Sequence, residues 1–207
     1  MAVPKGRILK EFDPLLKKAG ITPEDDFYSK NTRKIQFATN LPQLDLIQVR
    51  SFDVATFVAF GAAQIGVAGS DVLAEFNYDN IHAPVDLGIG KCRMSVAELE
   101  DDNIEEKLSE LSHIRIATKY VNITKRYFEA KGIQAECIKL NGAMEIAPRL
   151  GMVRRIVDLV STGSTLKANK LKEVEKIMDI SSRLIVNKTA SKLQADELQG
   201  IVDRFNS

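Results

Sequence analysis

Short apolar runs four to six residues long alternate along this chain with amphipathic helical runs, and that alternation restricts the fold more than any other feature. Ile8, Leu9, Phe12, Leu15, Leu16 and Ala19 recur at helical spacing, and Gly20 supplies a natural stop. Lys34–Thr39 and Asp45–Val49 alternate as two strands, with Asn40–Pro42 as the turn between them. Ser51 or Asp53 can cap a helix that runs through Phe60 and ends at Gly61. Gln64–Ala68 then reads as a strand, and Gly69 leads into a helix capped by Ser70–Asp71. This rhythm predicts an α/β fold whose sheet is parallel or mixed and covered on both faces.

The second half repeats the theme. Asp86–Ala97 reads as one long extended segment and Asp101–Leu111 as an acidic helix on a solvated face. Strand Ile114–Thr118, helix Val121–Lys131, strand Ala135–Lys139, helix Gly142–Leu150 and strand Ile156–Leu159 follow, with another helix beginning near Gly163. Met178–Val186 is extended and Ala195–Phe205 is a terminal helix. Two similar halves joined by long extended segments predict two lobes and a cleft. The 207 residues suffice for one large or two small domains, and a chain of that length buries roughly 70% of its unfolded surface without a metal or disulfide.

Charge and composition then exclude whole classes of function. Lysine plus arginine (29) nearly cancels aspartate plus glutamate (28), which argues against a generic nucleic-acid binder but leaves room for a local phosphate site. Cys92 and Cys137 are too few for a disulfide scaffold or a four-thiolate zinc site and read as small packing residues. His82 and His113 lack cysteine or carboxylate neighbours at metal-ligand spacing, so no protein metal site is expected. The basic N-terminus lacks an apolar signal core, and the longest uncharged stretch, Val54–Ser70, falls short of the ~20 residues a membrane span needs. A soluble, cytoplasmic protein without membrane attachment is expected.

The stretch richest in chemistry is IVDLVSTGSTLKAN, Ile156 to Asn169. A β-branched strand runs into Ser161, Thr162, Gly163, Ser164 and Thr165, and a helical pattern then begins. Small hydroxyl residues around a glycine at a strand-to-helix turn leave backbone N–H groups able to face an anion, and the helix dipole adds to the attraction, so phosphate is the expected guest. The alternative is a capped helix after a buried strand. No G-x-x-x-x-G-K-[ST] is present, so the turn is not that of a P-loop NTPase. A second stretch, Pro4-Lys5-Gly6-Arg7, sets two cations at a helix N-terminus, where they oppose the dipole unless an anion binds; solvated surface cations are the alternative. Arg33 and Lys34 form a similar pair, and Gly69-Ser70-Asp71 offers either a second ligand-facing N-terminus or a plain cap.

Taken in order, PKGR (4–7), TRK (32–34), FGAAQIGVAGSDVL (60–73), DLGIGKC (86–92), RIATKY (115–120), IKLNGAMEIAP (138–148), IVDLVSTGSTLKAN (156–169) and SSRLIVN (181–187) resemble the ATP phosphoribosyltransferase family across nearly the whole chain. The resemblance implies a two-lobed fold similar to type II periplasmic binding proteins, with crossing strands between the lobes. Lobe one would take 1–91 and 180–207, and lobe two 92–179 with the phosphate turn. It further implies the first step of histidine biosynthesis: ATP and 5-phosphoribosyl-1-pyrophosphate give N1-(5-phosphoribosyl)-ATP and pyrophosphate, with Mg²⁺. Lys5, Arg7 and Arg33 would stabilise the departing pyrophosphate. Asp158 would approach the ribose hydroxyls or a metal-bound water, Ser161–Thr165 would hold the 5-phosphate, and Gly69, Ser70 and Asp71 would face ATP. Closure of the lobes would align adenine with the sugar and exclude water.

The length is that of the family's short form, which implies a homo-oligomer that also joins a regulatory subunit similar to histidyl-tRNA synthetase. The chain departs from the family's usual L-A-D at Met152-Val153-Arg154-Arg155, from A-N-G-L at Ala168-Asn169-Lys170-Leu171, and from G-K-D at Gly69-Ser70-Asp71. The contrasting hypothesis is a non-catalytic two-lobed sensor that closes on a small anion, because fold alone does not imply function.

Overall fold

The computed structural model describes residues 1–29, 31–100 and 111–206, as a mixture of helices and strands. It divides into two units, Met1–Gly90 with Ser181–Ser207, and Lys91–Ile180.

The first unit is built on a mixed sheet of β1 (Ala2–Pro4), β2 (Gln36–Ala38), β3 (Asp45–Val49), β4 (Ile65–Gly69), β5 (Ile81–Asp86) and β11 (Ser182–Asn187), in the order β2-β3-β1-β4-β11-β5. The central strand β1 is parallel to β3 and β4, whereas β2 and β11 run antiparallel to their neighbours. Side chains alternate across a strand, and here the alternation feeds two cores. Val3, Val67 and Leu184 point to one, with Phe12 and Leu16 of α1 (Arg7–Lys18) and Leu198 of α7 (Ala195–Asn206). Their neighbours Ala2, Ala68 and Ile185 point to the other, with Val54 and Val58 of α2 (Ser51–Ala59) and Val72 of α3 (Ser70–Phe76). Both faces are covered, as the strand–helix rhythm requires.

The second unit carries a sheet of β6 (Cys92–Leu99), β7 (His113–Thr118), β8 (Gln134–Lys139), β9 (Arg155–Val160) and β10 (Leu171–Ile180), in the order β10-β6-β9-β7-β8. Strands β8, β7 and β9 are parallel, while β6 is antiparallel to both β9 and β10. Ala97, Ala117, Ile156 and Val160 pack with Met144, Leu166 and Leu171 on one face. Helices α4 (Val121–Glu129) and α5 (Ser164–Ala168) supply the crossovers that parallel strands need.

Several sequence expectations need correction. The extended segment 86–97 is two strands, because Gly88 and Gly90 adopt positive φ and break the extended run between β5 and β6. The helix expected over Gly142–Leu150 is a 3₁₀ turn at Met144–Ile146, preceded by left-handed Ala143 and followed by Pro148. The extended run expected from Met178 starts at Leu171, since LKEVEKI pairs along β6. A further short helix, α6 (Lys188–Leu193), precedes α7. Neither Ser51 nor Ser70–Asp71 caps its helix: Arg50 and Gly69 hold the cap positions, without side-chain cap bonds. The acidic helix expected over 101–111 falls on 101–110, outside the described residues.

Two departures from the family pattern acquire physical roles. Arg155 stands opposite Glu98 in the β6–β9 register and its Nε donates to Glu98 Oε2 at 2.9 Å, with the arginine fully buried. Lys170, which the resemblance sets at a glycine position, has a left-handed φ of 56°.

Candidate functional site

The parallel run β8-β7-β9 brings the carboxyl ends of three strands to one edge of the second unit, the edge at which open α/β sheets bind ligands. Thr118, at the end of β7, is buried; its Oγ1 donates to Val157 O at 2.8 Å and accepts from Tyr120 N–H at 2.9 Å. That bond pins the turn entering α4 to β9.

Beside it β9 ends at Val160, and Ser161-Thr162-Gly163 turn the chain into α5. Gly163 holds the N-cap position with φ 79°, a region that a side-chain-bearing residue enters only with strain. A glycine cap has no side chain to satisfy the first-turn N–H groups, which every helix leaves without intrahelical partners. Ser161, Thr162, Ser164 and Thr165 are exposed, and the Thr162 and Ser164 hydroxyls lie 2.9 Å apart. Ser164 N–H reaches Thr162 Oγ1 only at 3.4 Å, which is a weak cap. Thr165 keeps its hydroxyl at the surface while its carbonyl accepts from Asn169 Nδ2 at 2.9 Å. The turn thus presents hydroxyl and amide donors to an acceptor-only guest such as phosphate.

Asp158 lies opposite Ser95 on β6, two residues before Val160. Burial, with Glu145 adding to it, pushes its carboxyl up to about 6, against the Leu159 N–H bond and the Lys119 charge that pull the other way. At neutral pH such a carboxyl is mostly ionised and accepts hydrogen bonds from sugar hydroxyls; below about pH 6 it can also donate. Sequence reasoning singled out Asp158 but not Lys119 or Glu145. It also missed Arg93, although a charged residue in the apolar alternation of Cys92–Ala97 was a signal available in the sequence.

In the first unit, Lys5 follows β1 and Ser70 follows β4, so the two loops leave the carboxyl ends of neighbouring parallel strands. Lys5 N–H donates to Val49 O at 3.0 Å. Its side chain lines a cavity of about 500 Å³ together with Lys10, Thr32, Lys34 and Gln48. Arg33 and Arg7 are not among the residues lining it. Both are exposed, and Arg7 lies 3.7 Å from Glu11. Lys34 is committed to Glu24 at 2.5 Å and holds that carboxylate below its ordinary range. Ser70 joins two strand ends: its N–H donates to Ser181 O at 2.9 Å and its Oγ accepts from Ser181 N–H at 3.3 Å. Asp71 is buried and folds back over Gly69, so a methyl group at Gly69 would fall 2.0 Å from Asp71 Oδ1. Among the described residues no group of three His, Cys, Asp or Glu side chains could hold a metal ion, and no helix is long and apolar enough to cross a membrane.

These two α/β units, one of them carrying a hydroxyl-rich strand-to-helix turn, define a class: the periplasmic-binding-protein fold. A Candida albicans protein described as exhibiting the generic periplasmic binding protein structural fold aligns with TM-score 0.55 at 11% identity, over 78% of this chain and 59% of its own. Closer likeness fixes the particular family. The HisG: ATP phosphoribosyltransferase family model matches residues 50–207. A Rhodospirillum rubrum ATP phosphoribosyltransferase is 60% identical over 99% of this chain and 90% of its own length, and one from Paramagnetospirillum magneticum is 60% identical over 99% and 94%. The ATP phosphoribosyl transferase (HisG:HisZ) complex from Thermotoga maritima contains a chain that aligns with TM-score 0.82 at 32% identity, over 99% of this chain and 94% of that one. The chain belongs to the ATP phosphoribosyltransferase family and is a pentosyl-transferring enzyme rather than a sensor.

Proposed function

We propose that the chain joins ATP to 5-phosphoribosyl-1-pyrophosphate with the residues read from the sequence, the first step of histidine biosynthesis. The exposed turn Ser161–Thr165 carries this reading, in a chain 60% identical to enzymes of that name. Ser161, Thr162, Gly163, Ser164 and Thr165 receive the 5-phosphate through first-turn N–H groups and hydroxyls. Asp158, half-buried at the end of β9, meets the ribose hydroxyls. Gly69, Ser70 and Asp71, at the end of β4, face ATP.

Displacement at the anomeric carbon develops positive charge on the sugar and negative charge on the departing pyrophosphate. The protein's task is preorganised positive charge at the leaving group, not a covalent nucleophile. Lys5, Arg7 and Arg33 are proposed for it. Mg²⁺ enters this proposal with the substrate: with no three-residue metal group among the described residues, it would ride on the pyrophosphate oxygens and water. The Thermotoga maritima HisG:HisZ complex supports assembly with a HisZ-type partner; a partner similar to histidyl-tRNA synthetase, association with further copies of this chain and a cytoplasmic location complete the proposal.

The test is pyrophosphate release with ATP, donor and Mg²⁺, with and without such a subunit. Arg33→Ala removes one leaving-group charge, a loss of about 2–4 kcal/mol that lowers kcat by about 10² to 10³ with little change in donor affinity. Wild-type kcat in that variant contradicts the leaving-group role.

A further inference from the structure

Arg93, which carries no role in the reading above, reaches the turn 161–165. Arg93, the second residue of β6, pairs in register with Val160, the last residue of β9. Its Nη1 therefore lies beside the start of the turn and makes a long, weak hydrogen bond to Ser161 O at 3.4 Å, strengthened by the guanidinium charge. The rest of the guanidinium is already held. Nε and Nη2 donate to the two oxygens of Glu173 at 2.7 and 2.5 Å, a bidentate pair. Ser95, on the same face of β6 as Arg93, donates its hydroxyl to Glu173 Oε1 at 2.7 Å. Glu173 stands opposite Ala97, just before a register shift in the β10–β6 ladder. The Arg93 guanidinium holds the Glu173 carboxyl below its usual range, with burial opposing and the Ser95 hydroxyl adding to the effect.

The consequence lies in the peptide plane between Ser161 and Thr162. In a trans peptide the C=O and the following N–H point in opposite directions. A donor on the Ser161 carbonyl therefore turns the Thr162 N–H away from Arg93. We propose that Arg93, fixed by Glu173 and Ser95, is a positioning residue that sets this plane so that the Thr162 N–H is presented to the 5-phosphate of the donor. A lysine cannot replace it, because one compact ammonium does not reproduce a fork that spans a carboxylate and a carbonyl. The proposal rests on the reading of 161–165 as the phosphate turn.

The experiment is calorimetric titration of the full chain with 5-phosphoribosyl-1-pyrophosphate and, separately, with ATP, in Arg93→Lys, Glu173→Gln and Gly163→Val. Arg93 and Glu173 are partly exposed, with side chains 35% and 26% accessible, so both single variants are expected to fold, and melting temperatures check this. Arg93→Lys and Glu173→Gln should weaken the donor about tenfold, the scale of one lost charge-assisted hydrogen bond, and leave ATP within about twofold. In Arg93→Ala, millimolar guanidinium should restore donor affinity and methylammonium should not, a rescue that a merely structural role would not give. Wild-type donor affinity in folded Arg93→Lys and Glu173→Gln, with Gly163→Val impaired, overturns the positioning role alone. Unchanged donor affinity in Gly163→Val overturns the phosphate turn, and the positioning role falls with it.

Discussion

A carboxyl group pushed up to about 6 makes Asp158 a stability cost at neutral pH. Its folded value exceeds the ordinary 3.8, so the folded state binds the proton more tightly than the unfolded chain. The stabilisation this gives is complete below about pH 4 and is lost as pH rises through about 6. The difference between the two values corresponds to at most about 3 kcal/mol. Asp158→Asn keeps an oxygen for the Leu159 N–H and carries no charge. Denaturant unfolding should show it about 1–3 kcal/mol more stable than wild type at pH 8, with the gap closing below pH 4. A constant gap across that range would show that desolvation of the carboxylate is not the cause. The residue is retained at a cost, which fits a group placed for ligand rather than for folding.

Lys170 tests the account at the level of an element boundary. It closes the turn after α5 with its N–H on Lys167 O at 3.1 Å, and its carbonyl accepts from Glu100 N–H at 2.9 Å. The conformation at φ 56° suits glycine better than a residue with a side chain. Lys170→Gly should therefore stabilise the chain by about 0.5–1 kcal/mol in thermal or denaturant unfolding, because relief of left-handed strain outweighs the added freedom of the unfolded chain. Destabilisation would mean that the lysine side chain contributes more than its backbone strain removes.

Legibility in the sequence divides along the same physical lines. The strands at 45–49, 65–69, 113–118 and 155–160 were readable because β-branched runs end at glycine or hydroxyl turns. Strand β10 was not, because LKEVEKI alternates charge on an exposed edge and carries no apolar run. The Asp86–Ala97 run looked continuous because positive φ at Gly88 and Gly90 is a backbone fact that hydrophobicity does not report. Gly90 is also sterically required: a Cβ there would fall 2.4 Å from Ile8 Cδ1 and 2.9 Å from Ser182 Oγ. The hydroxyl turn was visible from residue type alone, whereas Arg93 and Glu173 meet only through the pairing of β6 with β10, 80 positions apart in sequence.

At the scale of the molecule, a chain with net charge +1 has no general field with which to attract polyphosphates. Affinity for such substrates has to come from local devices. In the second unit the proposed device is the glycine-capped helix start with exposed hydroxyls; in the first it is the cations following β1 and preceding β2. Family membership sets the reaction class, and we propose that the donors at 161–165 hold the phosphoribosyl group. That placement is the central claim, and a direct measurement of it is calorimetric titration of 5-phosphoribosyl-1-pyrophosphate and of ATP into wild type and Thr165→Asp. A carboxylate at position 165 sets like charge against the 5-phosphate and removes a hydroxyl donor worth about 1.5–3 kcal/mol. Donor binding should be nearly abolished while ATP binding stays close to wild type; unchanged donor affinity would contradict the account, whatever the activity did.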